Sequence, residues 1–414
     1  MRRATGRRHG PRPNQPQLTE RTLTVTIERI VPGGYGIGHT EGLTALVPLT
    51  AVGDTVRMSI DRMRGDTVFG SVLELLEPGL ARVDPLCPHF GLCGGCDFQH
   101  MAYEAQVAAK TGIITDALRR IGGIALDSVE VVPSPKEWAY RIRAEWISDP
   151  AAPLLGYRKR GSRDPFDVLT CPILDPKMES TRDRLRHAVH GGDANADGEI
   201  HAATGDQAVS VAPRIDGFSS GLVTLTINGE RFGFDATCFF QSNASILSAL
   251  TDHVVSDMTQ GRERVNGEAV DLYCGVGLFA IPLARRFAHV TGVESHAKTG
   301  SYAHENAKAA GLGNVSISGL PVEQWLRRKG TQLEQPEAVL LDPPRTGAEP
   351  VVIEGIVRLE PKRIVYVSCD PATLARDLKL LLAAGYRLAT VRGFDMFPQT
   401  HHVEVVATLD RDAA

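Results

Sequence analysis

The sequence predicts an α/β protein in three parts. These are a small β-barrel over residues 18–76, a central α+β region over 77–240 that carries a cysteine cluster, and a doubly wound domain over 241–414. Three observations predict this. Short runs that alternate apolar and polar residues, separated by Gly and Asp turns, fill the first part. Three of the seven cysteines fall within residues 87–96. Beyond 241, apolar runs alternate with helix-like segments, the pattern of parallel strands joined by helices. A chain of 414 residues ordinarily makes two or three domains, and 43% hydrophobic residues suffice for a large core.

Residues 1–17 are rich in Arg, Pro and Gly and read as a flexible basic tail, either solvated or grazing RNA. LTVTIERI (23–30) is a strand, VPGGYGIG (31–38) breaks the pattern, and LTALVPL, DTVRMSID and TVFGSVLELLE supply further strands of a five-stranded barrel. Residues 101–122 have helical periodicity, and 123–240 are mixed and β-rich, with a polar Gly/Asp/Ala-rich insert near 190–207 expected as a surface loop. NASILSALTDHVVSDM (243–258) reads as a helix. Strands are then expected at EAVDLYC, HVTGVE, VSIS, AVLLD and RIVYVSC. YRLATVRGF and HHVEVVATL have no helix between them and are expected as an antiparallel edge pair. No repeat of 20–50 residues is evident.

Net charge is -4, so any nucleic-acid footprint must be local. The cysteines are odd in number and clustered, unlike a secreted disulfide framework. The basic N-terminal stretch has no apolar run behind it, and no segment reaches the roughly 20 apolar residues of a membrane span. A cytoplasmic location with no membrane partner is expected.

Four segments carry candidate chemistry. In AVDLYCGVGLFAIPLA (269–284) a strand ends at Asp271 and a glycine turn, Gly275-Val-Gly277, leads into a helix. Such glycines expose amide N–H groups to a ligand. Glu294 ends the next strand, where a carboxylate suits a ribose diol. The same glycines satisfy a dinucleotide fingerprint, so a nicotinamide cofactor competes with S-adenosylmethionine. The acid before the turn favours the charged amino-acid end of the methyl donor over a pyrophosphate. In LLDPPRTGA (340–348), Asp342 ends a strand and Pro343-Pro344 stiffen the backbone beyond it. In VYVSCDPATLARD (365–377), Cys369 ends a strand just before a helix, where a thiolate is stabilised; a buried structural cysteine is the plain alternative. In FPQTHHVEVVATL (397–409), Glu404 stands among valines, where a carboxylate pKa rises and a base is made; an exposed strand glutamate is its alternative.

A thiol, a base and a methyl sulfonium together suit one reaction. Carbon 5 of uracil is a poor nucleophile. Thiolate addition to carbon 6 puts negative charge on carbon 5, which then attacks the methyl group. A base removes the carbon-5 proton, and elimination frees the cysteine.

On DLYCGVG, LDPPRTG, SCDPATLARD and the terminal HHVE, the chain resembles the RNA uracil-5 methyltransferase family from about residue 18 to the C-terminus. GGYGIGH resembles the glycine-rich turn of TRAM domains. The resemblance implies a TRAM-like barrel and a Rossmann-like S-adenosylmethionine-dependent catalytic domain. Cys369 is implied as nucleophile and Glu404 as general base. Gln241 (in CFFQSN), Tyr273, Gly275, Gly277, Glu294 and Asp342 are implied around the donor. Tyr140-Arg141 resembles the family's Tyr-Arg motif. The chain departs from the pattern at Leu278, where several relatives carry Asn. It departs again at SGLPVEQW, which leaves the adenine-side contact near Gly319–Glu323 without its usual Asp or Asn.

Cys87-x5-Cys93-x2-Cys96 with distant Cys171 indicates metal, and spacing alone does not separate zinc, with His89 or His100 assisting, from an iron–sulfur cluster. The resemblance implies a [4Fe–4S] cluster. It also implies an RNA partner, ribosomal more than transfer; a monomer is expected. A stacked, paired uridine hides carbons 5 and 6, so the target is expected flipped or in a loop. Arg158-Lys159-Arg160 and Arg163 are either a phosphate contact or a solvated loop. An NAD-dependent oxidoreductase, an RNA cytosine-5 methyltransferase and a non-catalytic RNA-binding module are the rival readings.

Overall fold

The computed structural model describes residues 22–193, 196–328 and 335–411. The basic stretch 1–17 lies outside the described residues. Two compact units are formed. The first takes in the described residues up to Ile30 and Gly34–Arg82, and the second takes in Val31–Gly33 and Val83 onward.

The first unit holds β1 (Thr22–Thr26), β2 (Arg29–Val31), β3 (Tyr35–Thr40), β4 (Leu43–Pro48), β5 (Thr55–Ser59), β6 (Arg62–Arg64), β7 (Thr67–Phe69) and β8 (Val72–Glu77). They form two sheets, β1-β5-β8 and β2-β3-β4-β7-β6, so there are eight short strands where the sequence suggested five. The run 23–30 splits in two, and a small hairpin turns at Gly65 (φ 60°). Of the four glycines expected to break the chain, Gly33 (φ 87°) and Gly34 (φ 75°) do turn it, whereas Gly36 and Gly38 lie within β3. A Cβ on Gly36 would stand 2.1 Å from Thr50 Oγ1, and one on Gly38 2.2 Å from the Thr26 carbonyl oxygen. Glycine is there because strands pass too close for a side chain, which composition alone reads as a turn.

The second unit runs α1 (Tyr103–Ala117), β9 (Val131–Val132), β10 (Arg143–Asp149), β11 (Leu154–Arg158), β12 (Pro165–Asp167), α2 (Pro176–Gly191), β13 (Gly198–Thr204), β14 (Val209–Ala212), β15 (Val223–Ile227) and β16 (Glu230–Phe234). It continues with α3 (Ala244–Thr259), β17 (Val265–Leu272), α4 (Ala280–Ala284), β18 (Phe287–Val293), α5 (Ala297–Ala309), β19 (Val315–Ser318), α6 (Val322–Arg328) and β20 (Ala338–Leu341). It closes with α7 (Pro350–Leu359), β21 (Arg363–Ser368), α8 (Pro371–Ala383), β22 (Tyr386–Phe394) and β23 (Glu404–Arg411). Strands β12-β11-β10-β13-β14 make one antiparallel sheet. The expected surface loop near 190–207 therefore contains a paired strand, β13. Ile200, Ala202 and Ala203 are buried there, and the alanines, poor strand formers, masked the pattern.

The large sheet has the order β19-β18-β17-β20-β21-β23-β22-β9. From β19 to β21 the pairings are parallel; β23 runs antiparallel between β21 and β22. The expected edge pair is thus inside the sheet, because the short upstream strand β9 pairs with β22 from outside. The central strands are buried on both faces and send alternate residues to two cores. Ala269, Leu340, Val365 and Val406 join one with α3 and α4. Val270, Leu341, Tyr366 and Ala407 join the other with α1, α7 and α8. Near-continuous apolar runs are the consequence of this double burial.

Candidate active site

Parallel strands end on one edge, and ligands bind there in open α/β sheets. Asp342 and Cys369 immediately follow β20 and β21, and Glu294 follows β18. Strand β23 runs the other way, so its first residue, Glu404, starts on that same edge. Ser368 pairs with Val405 in the β21–β23 ladder, which brings the next positions outward, Cys369 and Glu404, to face each other. Both line a cavity of about 800 Å³, together with Gln241, Tyr273, Gly275, Glu294 and Asp342.

The glycine turn shapes one wall. Tyr273 (φ 65°) and Gly275 (φ 55°) are both left-handed, and the Gly275 N–H donates to Glu294 Oε2 at 3.2 Å. The His296 N–H donates to Glu294 Oε1 at 2.7 Å, so the Glu294 carboxylate is held between two amides. Gly277 does not line the cavity. It closes the turn with a 2.9 Å bond to the Cys274 carbonyl oxygen, at φ 93° with Ile281 behind it. The helix expected to start there is only the five-residue α4.

Asp271 also falls outside the cavity. It is fully buried, and neither carboxylate oxygen meets a hydrogen-bond partner. Burial, then the nearby Asp342 charge, pushes it well above the usual carboxylate range. The expectation that it faces the amino-acid end of a donor is therefore corrected: it backs the turn from the core. Burial pushes Asp342 up to about 7, against a 3.3 Å hydrogen bond from Gln241 Nε2. Glu404 is buried, with Oε1 unpartnered; burial and then Asp342 hold it well above its ordinary value. Such a carboxylate is a strong base once ionised.

The Cys369 thiol is pushed up to about 12, first by burial and then by Glu404 beside it. The expectation that the helix start lowers this pKa is corrected. Asp370 caps α8 and takes the Ala372 and Thr373 N–H groups, each at 2.9 Å, so they are not free for the thiolate. Arg345 works in the opposite direction on Cys369 and Glu404.

The sequence points to FPQTHHVEVVATL (397–409) for Glu404 alone, and its Phe397, Thr400 and His402 line the cavity as well. Residues 395–402 are pinned from upstream. Lys110 and Asp395 form a wholly buried ion pair, and Lys110 Nζ also donates to the Phe397 carbonyl oxygen at 3.0 Å. Gln106 exchanges two 2.9 Å bonds with Gln399, and Tyr140 donates to the Pro398 carbonyl oxygen at 2.8 Å. Tyr140 thus braces this segment while Arg141 lines the cavity. FPQTHH was the available signal: six residues without periodicity just before the catalytic-edge strand.

A second cavity of about 120 Å³ is lined by Cys87, Cys93, Cys96 and Cys171 together, with His89 and Arg141. All are free thiols, and burial pushes Cys96 and Cys171 up to about 12. Among the described residues no group of three or more His, Cys, Asp or Glu is gathered tightly enough to hold one metal ion. In the basic run, Arg158 pairs with Glu199 at 2.9 Å and Arg160 donates to the Cys96 carbonyl oxygen, so both have structural partners. Among the described residues no helix is long and apolar enough to cross a membrane.

Residues 222–412 match the family model of tRNA (uracil-5-)-methyltransferases. The 23S rRNA (uracil(1939)-C(5))-methyltransferase RlmD of Alkalilimnicola ehrlichii is 33% identical, with 99% of each chain covered. The RlmD of Pectobacterium atrosepticum is 32% identical, covering 95% of this chain and 94% of its own. The chain belongs to the RNA uracil-5 methyltransferase family. Its fold is shared with the Pyrococcus abyssi tRNA (uracil-54, C5)-methyltransferase, solved with S-adenosyl-L-homocysteine. That structure matches with a TM-score of 0.71 and 24% identity over 94% of this chain and all of the other. A mixed α/β RNA uracil-5 methyltransferase is therefore what the chain is, and the dinucleotide reading of its glycine turn is set aside.

Proposed function

We propose that this methyltransferase moves a methyl group from S-adenosylmethionine to carbon 5 of a uridine in 23S ribosomal RNA, through a covalent bond to Cys369. The facing placement of Cys369 and Glu404 in one cavity with Asp342, Gln241 and Glu294 carries this reading. The ribosomal substrate rests on the relatives that share nearly the whole chain length.

Cys369 gives its proton to solvent in the cavity as its sulfur adds to carbon 6. The electron pair of the carbon 5–carbon 6 bond shifts toward oxygen 4. Carbon 5 then takes the methyl group, and the donor leaves as a neutral thioether. Glu404 removes the proton from carbon 5, the carbon–hydrogen pair re-forms the carbon 5–carbon 6 double bond, and the carbon–sulfur pair leaves with the Cys369 sulfur. Glu294, fixed by two amides, suits the ribose diol; Gln241, Tyr273, Gly275 and Asp342 surround the rest of the donor, with Gly277 shaping the turn beneath. The first unit serves as a TRAM-like RNA-gripping barrel, and residues 241–414 as the Rossmann-like catalytic domain. Residues 77–240 are read as the cysteine-bearing part that precedes the catalytic domain in sequence, and the protein as a cytoplasmic monomer.

Cys87, Cys93, Cys96 and Cys171 are read as holding a [4Fe–4S] cluster. The fit is in the cavity: four thiols surround a space of about 120 Å³. A single zinc ion instead draws sulfurs to about 2.3 Å. Such a cluster would order this region; the methyl transfer needs no electron from it. Anaerobically purified protein should be brown, and a colourless protein with stoichiometric zinc would reject the cluster.

Glu404→Gln tests the mechanism. It should accumulate a covalent protein–RNA species that survives denaturation, because the methylated adduct keeps its carbon-5 proton. Ordinary turnover by this variant would remove Glu404 from the reaction.

A further inference from the structure

Thiolate addition needs more than a sulfur and a base. As the new bond forms at carbon 6, negative charge collects on oxygen 4 of the uracil. A hydrogen-bond donor waiting there lowers the barrier without itself changing. Most polar side chains of the cavity are already committed. Thr400 Oγ1 donates to the Phe397 carbonyl oxygen at 2.8 Å, and Gln241 Nε2 donates to Asp342. Glu294 only accepts. Arg345 is a solvent-exposed cation at the rim.

His402 is different. It lines the cavity with Glu404, two residues ahead of it and just before β23. Its ring packs edge-on against Phe397, with centroids 6.0 Å apart, and lies 4.1 Å from the His401 ring. Its backbone N–H is bonded to Thr400 Oγ1 at 3.2 Å, yet among the described residues neither ring nitrogen has a hydrogen-bond partner. The ring is held from behind by an anchored neighbour. The His401 backbone N–H donates to Asp97 Oδ1 at 2.8 Å, and the His401 ring pairs with Asp97 Oδ2. Burial, then the charges of His401 and Arg345, push His402 down to about 3. The imidazole stays neutral, with one N–H to give.

We infer that His402 is a further substrate-contacting residue of this reaction, its ring N–H donating to the uracil oxygen 4 that becomes negative as the Cys369 sulfur adds to carbon 6. Asp97 and His401 are positioning residues behind it. The inference rests on the uridine-methylation reading above.

The test uses the full chain, S-adenosylmethionine and a 23S rRNA transcript made with 5-fluorouridine. Fluorine in place of the carbon-5 proton blocks elimination, so each addition and methyl transfer leaves one stable covalent complex. Its rate of formation is compared in wild type, His402→Leu and His402→Gln, with donor affinity measured by calorimetry. His402→Leu should slow adduct formation on the order of 100-fold with donor affinity unchanged. His402→Gln, which keeps a side-chain N–H, should recover a good part of the rate. A Leu variant as fast as wild type overturns the inference. So does one that loses donor affinity in step with adduct formation, or a Gln variant no faster than Leu. Failure of the wild-type protein to form any adduct instead overturns the underlying reaction.

Discussion

In the absence of RNA, Cys369 should be a sluggish thiol. With its pKa near 12, only about 1 in 10,000 molecules carries the thiolate at pH 8, against roughly one in four for a free cysteine. The rarer thiolate is intrinsically the better nucleophile, which returns a factor of about 30–50. The net expectation is alkylation by iodoacetamide roughly 50- to 100-fold slower than in the unfolded chain. The rate should climb about tenfold per pH unit between pH 7 and 10, because the folded thiol is still mostly protonated there. Mass spectrometry of the peptide containing Cys369, from native and denatured protein, reads this directly. Native Cys369 reacting at pH 7 as fast as in the denatured chain would refute the reasoning. The helix start would then outweigh burial and the neighbouring carboxylates.

Cys369→Ala should abolish turnover and leave S-adenosylmethionine affinity nearly intact, whereas Asp342→Ala should weaken donor binding; calorimetric titration of both variants separates the roles. Lys110→Met leaves Asp395 charged and unpaired in the core, and breaking such a pair costs about 3–5 kcal/mol. Denaturant unfolding should show that loss. The double variant Lys110→Met/Asp395→Leu should recover much of it, since an apolar pair of similar volume replaces buried charge.

Local patterns made the catalytic edge legible. Apolar runs ending in Asp342 and Cys369 announced parallel strands, and the missing helix between 394 and 404 announced an antiparallel return. Once the strands are laid side by side, Cys369 and Glu404 must meet. The placement of residues 395–402 was not legible, because it is fixed by Gln106, Lys110 and Tyr140, 258 to 293 residues away in sequence. Asp271 and Gly277 were misplaced for a related reason: a residue beside a glycine turn can face the ligand or back the turn, and only packing decides. The start of α8 leaves Cys369 unaided because of one neighbour, Asp370, which takes the amides first. Strand β3 was hidden because its glycines serve close approach rather than a turn.

Methylation of a uridine is read out by one labelling experiment. Total RNA from a strain lacking this protein is incubated with the purified enzyme and methyl-labelled S-adenosylmethionine, then digested to nucleosides. Label in 5-methyluridine from 23S rRNA is the predicted result. Label confined to cytidine, or none in any uridine from a folded enzyme, would contradict it.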